Sequence, residues 1–316
     1  MRPVRTAFAG ALLGTLVLTA CGQTGTTTTS SAPPTSAAPA TAAGFPVTIE
    51  AGNGSVTLAK KPERIISLSA AHTETLFAIG AGPQVIAVDD QSNYPAEAPK
   101  SDLSGFKPNV EAIVAKKPDL VVLSNDLDKI VAELGKLNVP VLLEPAPTKI
   151  DEAYDEIADL GAATGNKDKA DQVVTGMKAE LDKLAAAAPK DKKLTYYHEL
   201  DQTPYAATSS TFIGQIYSIF GMTNIADKAP GAAGGYPKLS AEFVAQSDPD
   251  LIFLADVKCC RQNKDTLAKR PGWKGLSAIK NDQVVLLDDD IASRWGPRVV
   301  DLAKAIGDAV NKAAAK

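Results

Sequence analysis

Side chains that could bind a bare metal ion are scarce in this sequence. The 316-residue chain has two histidines, His72 and His198, and three cysteines. A zinc or manganese site needs several histidine, cysteine or carboxylate ligands held together. We therefore predict no metal site built from side chains, and we expect any metal to arrive already chelated. His72 stands where a predicted strand meets a helix and could contact a ligand or cap that helix, whereas His198 is interpreted as structural.

Two of the three cysteines, Cys259 and Cys260, are adjacent. In an exported protein whose only other cysteine is modified, they can pair within the chain only with each other. A bond between neighbours is strained, because their Cα atoms lie about 3.8 Å apart, closer than most disulfides allow. A vicinal disulfide and a pair of free thiols therefore both stay open.

Local catalytic motifs are absent from the sequence. It contains no G-x-S-x-G elbow, no G-x-x-x-x-G-K-[ST] phosphate loop, no G-x-G-x-x-G fingerprint and no H-E-x-x-H. With 33 basic and 37 acidic side chains, the net charge of -4 also argues against nucleic acid as a partner. We expect a protein that is not an enzyme, needs no cofactor and binds no nucleic acid.

The N-terminal segment has the pattern of an export signal. Arg2 and Arg5 precede an apolar run over residues 7–18, which is too short for an ordinary spanning helix. This pattern predicts a signal peptide over residues 1–20. Residues 21–44 are nearly all Thr, Ser, Ala, Pro and Gly, which cannot offset the entropy lost on ordering, so we predict a disordered tether.

From residue 45 onward, short apolar runs alternate with helical stretches. Such alternation indicates βα units around mostly parallel sheets. The runs predicted as strands are 64–68, 85–88, 120–123, 139–143, 194–198, 251–254 and 284–287, and the short helices are predicted over 73–79 and 213–220.

One stretch of the chain repeats at an offset of 131 residues. Asn109–Leu123 lies over Ser240–Leu254, with Glu, Pro, Asp and two Leu coincident. A repeat of this length predicts two similar Rossmann-like lobes, over 45–166 and 190–316. Residues 167–189 have apolar side chains at helical spacing and end at a proline, which predicts one long connecting helix. The predicted fold is therefore α/β, with parallel sheets and a ligand cleft between the lobes.

These features together resemble the helical-backbone class of ABC-transporter substrate-binding proteins, which carry cobalamin, ferric siderophores or haem. The resemblance rests on Pro62-Glu-Arg-Ile-Ile-Ser-Leu-Ser69, Thr73-Glu-Thr-Leu-Phe-Ala-Ile-Gly80, the doubled stretch and the connecting helix. Leu18-Thr19-Ala20-Cys21 looks like a bacterial lipobox, so the resemblance implies a lipid on Cys21. It also implies a permease with its ATPase as partner, and a monomeric receptor tethered outside the cytoplasm.

The resemblance also implies a docking role for two glutamates. In the family, one glutamate on each lobe docks onto arginines of the permease, and Glu111 and Glu242 match those positions. Both follow the expected helix caps Asn109 and Ser240, where a carboxylate favours the helix dipole. The docking role and the capping role are compatible with each other.

Ligand contacts are expected just after the strands, because open α/β sheets bind ligands at their carboxyl ends. Positions that match the cleft of cobalamin-binding members are Tyr94, Phe106, Tyr205, Tyr236 and Arg294, and Trp295 and His72 lie in the same segments. A flat macrocycle needs such apolar faces and a few donors. Arginines and tyrosines also suit a ferric siderophore, and tyrosine or histidine can ligate haem iron.

The sequence thus predicts a receptor that captures a metal chelate and delivers it to a permease. Cobalamin or a related corrinoid is the first expected ligand, and a ferric siderophore or haem is the alternative. A lipoprotein that senses its ligand without transport is the alternative of another class.

Overall fold

The computed structural model describes residues 44–189 and 191–315. The predicted signal peptide, the candidate lipidation site Cys21 and nearly all of the predicted tether lie outside these residues. Within them, no helix is both long and apolar enough to cross a membrane.

The described chain begins with a β-hairpin that the sequence did not predict. It joins β1 (Val47–Ala51) and β2 (Gly54–Leu58) in antiparallel register. Its turn lies on the last strand of the first sheet, where the Gly52 N–H donates to the Leu143 carbonyl oxygen at 2.7 Å and Asn53 adds side-chain hydrogen bonds. The hairpin therefore covers a sheet edge that would otherwise expose unpaired backbone groups.

The first lobe is built on a four-stranded parallel sheet. Its strands are β3 (Ile65–Ser67), β4 (Val85–Val88), β5 (Leu120–Leu123) and β6 (Val141–Leu143), in the order β4–β3–β5–β6. Every residue of β3 and β5 is buried, as expected for a parallel sheet covered on both faces. The helices of this lobe are α1 (Ala70–Ala78), α2 (Val110–Ala115), α3 (Ile130–Lys136) and α4 (Ile150–Thr164).

One long helix, α5 (Lys167–Ala187), connects the two lobes. At 1.5 Å per residue it is about 30 Å long. Its buried side chains, Ala170, Met177 and Leu181, belong to the predicted apolar stripe, and the other predicted members pack against the same core. The predicted connecting helix is confirmed.

The second lobe repeats the strand order of the first. Its strands are β7 (Thr195–Asp201), β8 (Tyr205–Ala206), β9 (Thr223–Asn224), β10 (Leu251–Leu254) and β11 (Val284–Leu286). The parallel order β9–β7–β10–β11 corresponds to β4–β3–β5–β6, and β8 adds an antiparallel pair to β7. This shared order confirms the α/β class with two similar lobes.

Seven helices accompany the second sheet in the described part of the chain. They are α6 (Phe212–Ser218), α7 (Ala241–Ser247), α8 (Val257–Cys260), α9 (Lys264–Ala268), α10 (Ser277–Lys280), α11 (Asp289–Ala292) and α12 (Val299–Ala314). The long helices α5 and α12 pack against each other.

A single apolar core runs from the first lobe into the second. It includes Leu120 and Val122 of β5, Met177 of α5, Phe253 of β10 and Ile306 of α12. Two smaller clusters lie apart from it, one in each lobe. The lobes are therefore joined by shared packing as well as by chain connection, and the exact lobe boundaries stay a prediction.

Candidate functional site

A cavity of about 270 Å³ lies between the two lobes. Its first-lobe wall consists of residues that follow β3, β4 and β5, and its second-lobe wall lies in and just after α11. The polar side chains in the wall include Ser69, Asp89, Ser124, Asn125, Asp290 and Arg294. This is the strand-end location that the sequence predicts for ligand contacts.

Gly105 shapes the first-lobe side of this cavity. A Cβ atom at Gly105 would lie 2.4 Å from the carbonyl oxygen of Leu68, which follows β3. Real Cβ atoms do not approach backbone so closely, so glycine is needed for the loop to lie against the strand end. The close approach brings the next residue, Phe106, into the cavity wall.

The structure brings three of the predicted ligand residues together. Phe106 from the first lobe, and Arg294 and Trp295 from the second, all line the cavity. The Phe106 side chain is 67% exposed, so its ring is available to a ligand. Their contact with a ligand stays a prediction.

The three predicted tyrosines lie outside this cavity. Tyr94 is 46% exposed, and the guanidinium of Arg298 stacks on its ring at 4.1 Å. Tyr205 and Tyr236, 40% and 50% exposed, lie on neighbouring segments of the second lobe that hydrogen-bond through their backbones. All three rings are exposed enough to be covered by a ligand larger than the cavity.

Arg294 is expected to be a free hydrogen-bond donor in the cleft, but its guanidinium is already bonded to protein groups. Its guanidinium donates to the carboxylate of Glu74 at 2.7 Å and to the carboxylate of Asp290 at 2.8 Å. It also donates to Asn93 Oδ1 and to the carbonyl oxygen of Gln91, both at 2.9 Å. Four of its N–H groups are therefore already bonded to protein.

His72 is buried beneath the cleft, which corrects its prediction as a ligand residue. Only 1% of it is exposed, and its Nε2 lies 3.2 Å from Glu156 Oε2. Its ring meets the edge of Trp295, with centroids 5.9 Å apart. The error arises because α1 begins at Ala70, earlier than predicted, which turns the His72 side chain towards α4.

Cys259 and Cys260 are free thiols in the structure, and a vicinal disulfide between them stays a prediction. Both belong to α8, whose backbone N–H groups bond the carboxylate of Asp289. The helical backbone explains the result, because neighbouring Cα atoms about 3.8 Å apart are too close for an unstrained disulfide.

The two candidate docking glutamates occupy equivalent places on the two lobes. Glu111 lies in the first turn of α2 and Glu242 in the first turn of α7, and both are exposed. The expected caps are present, since Asn109 accepts from the Ala112 N–H at 2.9 Å and Ser240 accepts from the Phe243 N–H at 3.0 Å. The docking role itself stays a prediction.

Two buried glutamates that the sequence left without a role connect the lobes at the cleft. Glu74 of α1 accepts from Arg294 and Arg298 of the second lobe. Glu156 of α4 accepts from the indole N–H of Trp295 at 2.8 Å. Glu74 lies in a motif that the sequence marked, but its partners are more than 200 residues away, and no local signal identifies them.

Among residues 44–189 and 191–315, no group of three or more histidine, cysteine, aspartate or glutamate side chains is arranged to hold a metal ion. Carboxyl groups do cluster in the first lobe, at Glu144, Glu156 and Asp159. Burial raises the pKa of Glu144 to about 8, and the charges of Asp159 and Glu156 add to the effect. Burial likewise raises the pKa of Asp159 to about 6. Glu144 therefore holds its proton at neutral pH.

This protonation predicts that the protein loses stability as the pH rises. A carboxyl group whose pKa is raised by folding contributes stability that is fully present below about pH 4.5 and lost as the pH approaches 8. We expect Glu144→Gln, which stays neutral, to reduce this loss by on the order of 3 kcal/mol between pH 5 and pH 9.

Urea unfolding at pH 5, 7 and 9 would measure the effect. Glu63→Gln, at an exposed position of the same lobe, is the control and should follow the wild-type pH profile. A parallel profile for Glu144→Gln and wild type would contradict the assignment of a buried proton to Glu144.

Comparisons with known proteins place the fold in a family. A family model described as "Periplasmic binding protein" matches residues 65–291, which is most of the chain. The ABC transporter substrate-binding lipoprotein YvrC of Bacillus subtilis is 30% identical over 279 residues, covering 84% of this chain and 86% of that protein. A protein of Halobacterium salinarum named cobalamin-binding protein is 32% identical over 272 residues, covering 82% and 73%.

A solved structure shares the architecture. It is a possible iron-binding, periplasmic solute-binding protein from Staphylococcus epidermidis, with a TM-score of 0.70 and 27% identity, covering 79% of this chain and 99% of that one. The match extends over both lobes and the helix between them. With its duplicated parallel sheets, connecting helix and inter-lobe cavity, the chain belongs to the periplasmic binding protein family.

Proposed function

We propose that this protein is the extracytoplasmic receptor of an ABC importer and that it captures cobalamin or a related corrinoid. The observation that carries the proposal is a set of exposed aromatic rings, Phe106 in the cavity wall and Tyr94, Tyr205 and Tyr236 outside it. Large aromatic faces in solvent suit a flat ligand that covers them on binding. The cobalamin-binding name of the Halobacterium salinarum relative supports the same ligand.

The charge distribution in the cavity wall also favours this ligand over an anionic chelate. Arg294 is already paired with Glu74 and Asp290, so its charge is largely neutralised before any ligand enters. A ferric siderophore or haem is the second candidate, and the possible iron-binding protein of Staphylococcus epidermidis supports it. A corrinoid is larger than the cavity of about 270 Å³, so we expect it to extend beyond the cavity and to cover exposed tyrosine rings as well.

The remaining parts of the proposal concern the cell. A lipid on Cys21 would hold the protein at the membrane, outside the cytoplasm, and the folded lobes would act as a monomer. Glu111 and Glu242 would dock onto the permease, which works with its ATPase. A lipoprotein that senses the ligand without transport is the alternative of another class, and an uptake assay separates the two.

The ligand proposal is tested by titrating the purified protein with cyanocobalamin, haemin, ferric citrate and a ferric hydroxamate separately. Calorimetry would follow binding, together with the fluorescence of the two tryptophans, of which Trp295 lies in the cavity wall and Trp273 in the core. We expect cyanocobalamin to bind with the highest affinity. We expect Phe106→Ala to weaken that affinity about tenfold, the equivalent of about 1.4 kcal/mol from lost ring contact.

Leu137→Ala is the matched control for Phe106→Ala. Leu137 is also an exposed apolar side chain of the first lobe, 52% exposed, but it does not line the cavity. The Leu137→Ala replacement should leave the affinity for cyanocobalamin unchanged. No response to cyanocobalamin, together with a response to haemin or a ferric chelate, would replace the first ligand by the second.

A further inference from the structure

A buried carboxylate joins the two lobes beside the cavity. Glu74 lies in α1 of the first lobe, and 1% of its side chain is exposed. Arg294 Nη1 donates to its Oε1 at 2.7 Å, and Arg298 Nε donates to its Oε2 at 2.8 Å. A second hydrogen bond from Arg298 Nη2 also reaches Oε1. Both arginines come from the second lobe, so Glu74 is the first-lobe anchor of an inter-lobe ionic cluster.

The same cluster extends into the first-lobe loop that follows β4. Arg294 donates to Gln91 and Asn93 of this loop, and Asn93 donates to Asp290 of the second lobe at 3.1 Å. Asp290 in turn accepts from Arg294. The network therefore connects the loop after β4 in the first lobe to Arg294 and Asp290 in the second lobe.

The backbone is also in close contact at this junction. A Cβ atom at Gly296 would lie 3.0 Å from the carbonyl oxygen of Ala71 in α1. Gly296 therefore lets the segment between the two arginines lie directly on the first lobe. Any side chain at this position would push the segment away from α1.

A carboxylate held by two guanidinium groups in a buried position is difficult to separate from them. Charge-assisted hydrogen bonds are stronger than neutral ones, and removing one partner leaves an uncompensated buried charge. Apart from this cluster, the lobes share the apolar core formed with α4, α5 and α12. The lobes are thus held together both by the shared core and by this ionic cluster at the cavity.

We propose that Glu74 is the positioning residue of the cleft, which fixes the separation of the lobes before any ligand binds. It does so by holding Arg294 and Arg298, and with them the adjacent Trp295 in the cavity wall. The inference concerns the protein without ligand, so it stands or fails independently of the ligand proposed above.

Distances between spin labels would test the inference. Labels at the exposed positions Lys107 and Lys238 report on the separation of the lobes, and labels at Lys107 and Lys136 report on the first lobe alone. In the full chain, serine would replace the three native cysteines, so that only the chosen positions carry a label. Pulsed dipolar spectroscopy should give a narrow inter-lobe distance distribution for this parent protein.

We expect Glu74→Gln, which removes the charge but keeps the shape, to shift the inter-lobe distribution to longer and broader distances. The distribution of distances within the first lobe should not change. If Glu74 had a merely structural role, its replacement would broaden this distribution as well. The Tm should fall by roughly 10 °C, because the partly buried Arg298 loses its carboxylate partner and Arg294 keeps only Asp290. Glu111→Ala, which removes an exposed carboxylate from the same lobe, is the matched control and should leave both distances unchanged.

A second variant keeps the test decisive if Glu74→Gln does not fold. Arg298→Met removes one arginine and leaves Glu74 paired with Arg294, so it should broaden the inter-lobe distribution to a smaller extent. An unchanged inter-lobe distribution in the folded variants would overturn the proposal. Equal broadening of both label pairs would do the same, because it would show general loosening of the fold.

Discussion

Alanine at both Glu111 and Glu242 is expected to reduce uptake of the ligand by cells about 100-fold or more, and each single replacement is expected to reduce it less. Both carboxylates are exposed in the first turn of equivalent helices, α2 and α7. In this position their charges are available to cationic side chains of a partner. A charge-assisted hydrogen bond contributes about 1.5–3 kcal/mol, and two such contacts made together account for the expected loss.

Uptake of labelled cyanocobalamin by cells that depend on this receptor would measure the effect, with the affinity of each purified variant determined in parallel. The affinity should not change, because neither glutamate lines the cavity. The matched control is Glu133→Ala with Glu180→Ala, which removes two half-buried carboxylates that pair with the neighbouring Lys136 and Lys183. Unimpaired uptake by the Glu111 and Glu242 double variant would exclude the docking role.

Arg270→Met is expected to lower the free energy of unfolding by about 3–5 kcal/mol. Arg270 donates to both carboxylate oxygens of Glu199 at 2.6 Å, and Glu199 is fully buried. Asp256 is also fully buried nearby, and burial followed by the charge of Glu199 raises its pKa to about 7. Without Arg270, the buried Glu199 carboxylate would lose its cationic partner and keep the hydrogen bond from the Tyr197 hydroxyl.

Urea unfolding of Arg270→Met at pH 7 would test this expectation. Lys264→Met, which removes a surface ion pair of the same lobe, is the control and should cost less than about 1 kcal/mol. Adding Glu199→Gln to Arg270→Met should recover part of the loss, because the unpaired charge is then removed as well. A loss for Arg270→Met no larger than that of the control would contradict the interpretation.

Local sequence patterns were sufficient for much of the secondary structure. The predicted strands β4, β5 and β10 agree with the structure at both ends, and α5 begins at the predicted residue, Lys167. These elements are continuous apolar runs or a long amphipathic stripe, so their signals lie within a few neighbouring residues. The β1–β2 hairpin was missed because its residues are mostly exposed, and its place on β6 depends on contacts with a distant strand.

The candidate site was predicted less completely than the fold. Phe106, Arg294 and Trp295, which the strand-end rule and the family resemblance predict as ligand residues, line the cavity, and their ligand contact stays a prediction. They did not predict that His72 points away from the cleft towards Glu156. Helix α1 begins at Ala70, three residues earlier than predicted, so His72 lies inside its first turn and not before it.

The sequence by itself determined the α/β class, the duplication into two lobes, the connecting helix and the family. These properties depend on periodicity, helix caps and a repeated stretch, all of which are local or can be compared along the chain. Only the tertiary structure decided which polar groups meet across the cleft. Glu74 and Arg294 are 220 residues apart, and folding neutralises an arginine that the sequence presents as a free donor. A buried charge needs a partner of opposite charge or a set of hydrogen bonds. That partner can come from any part of the chain that the fold brings near, so local sequence does not identify it.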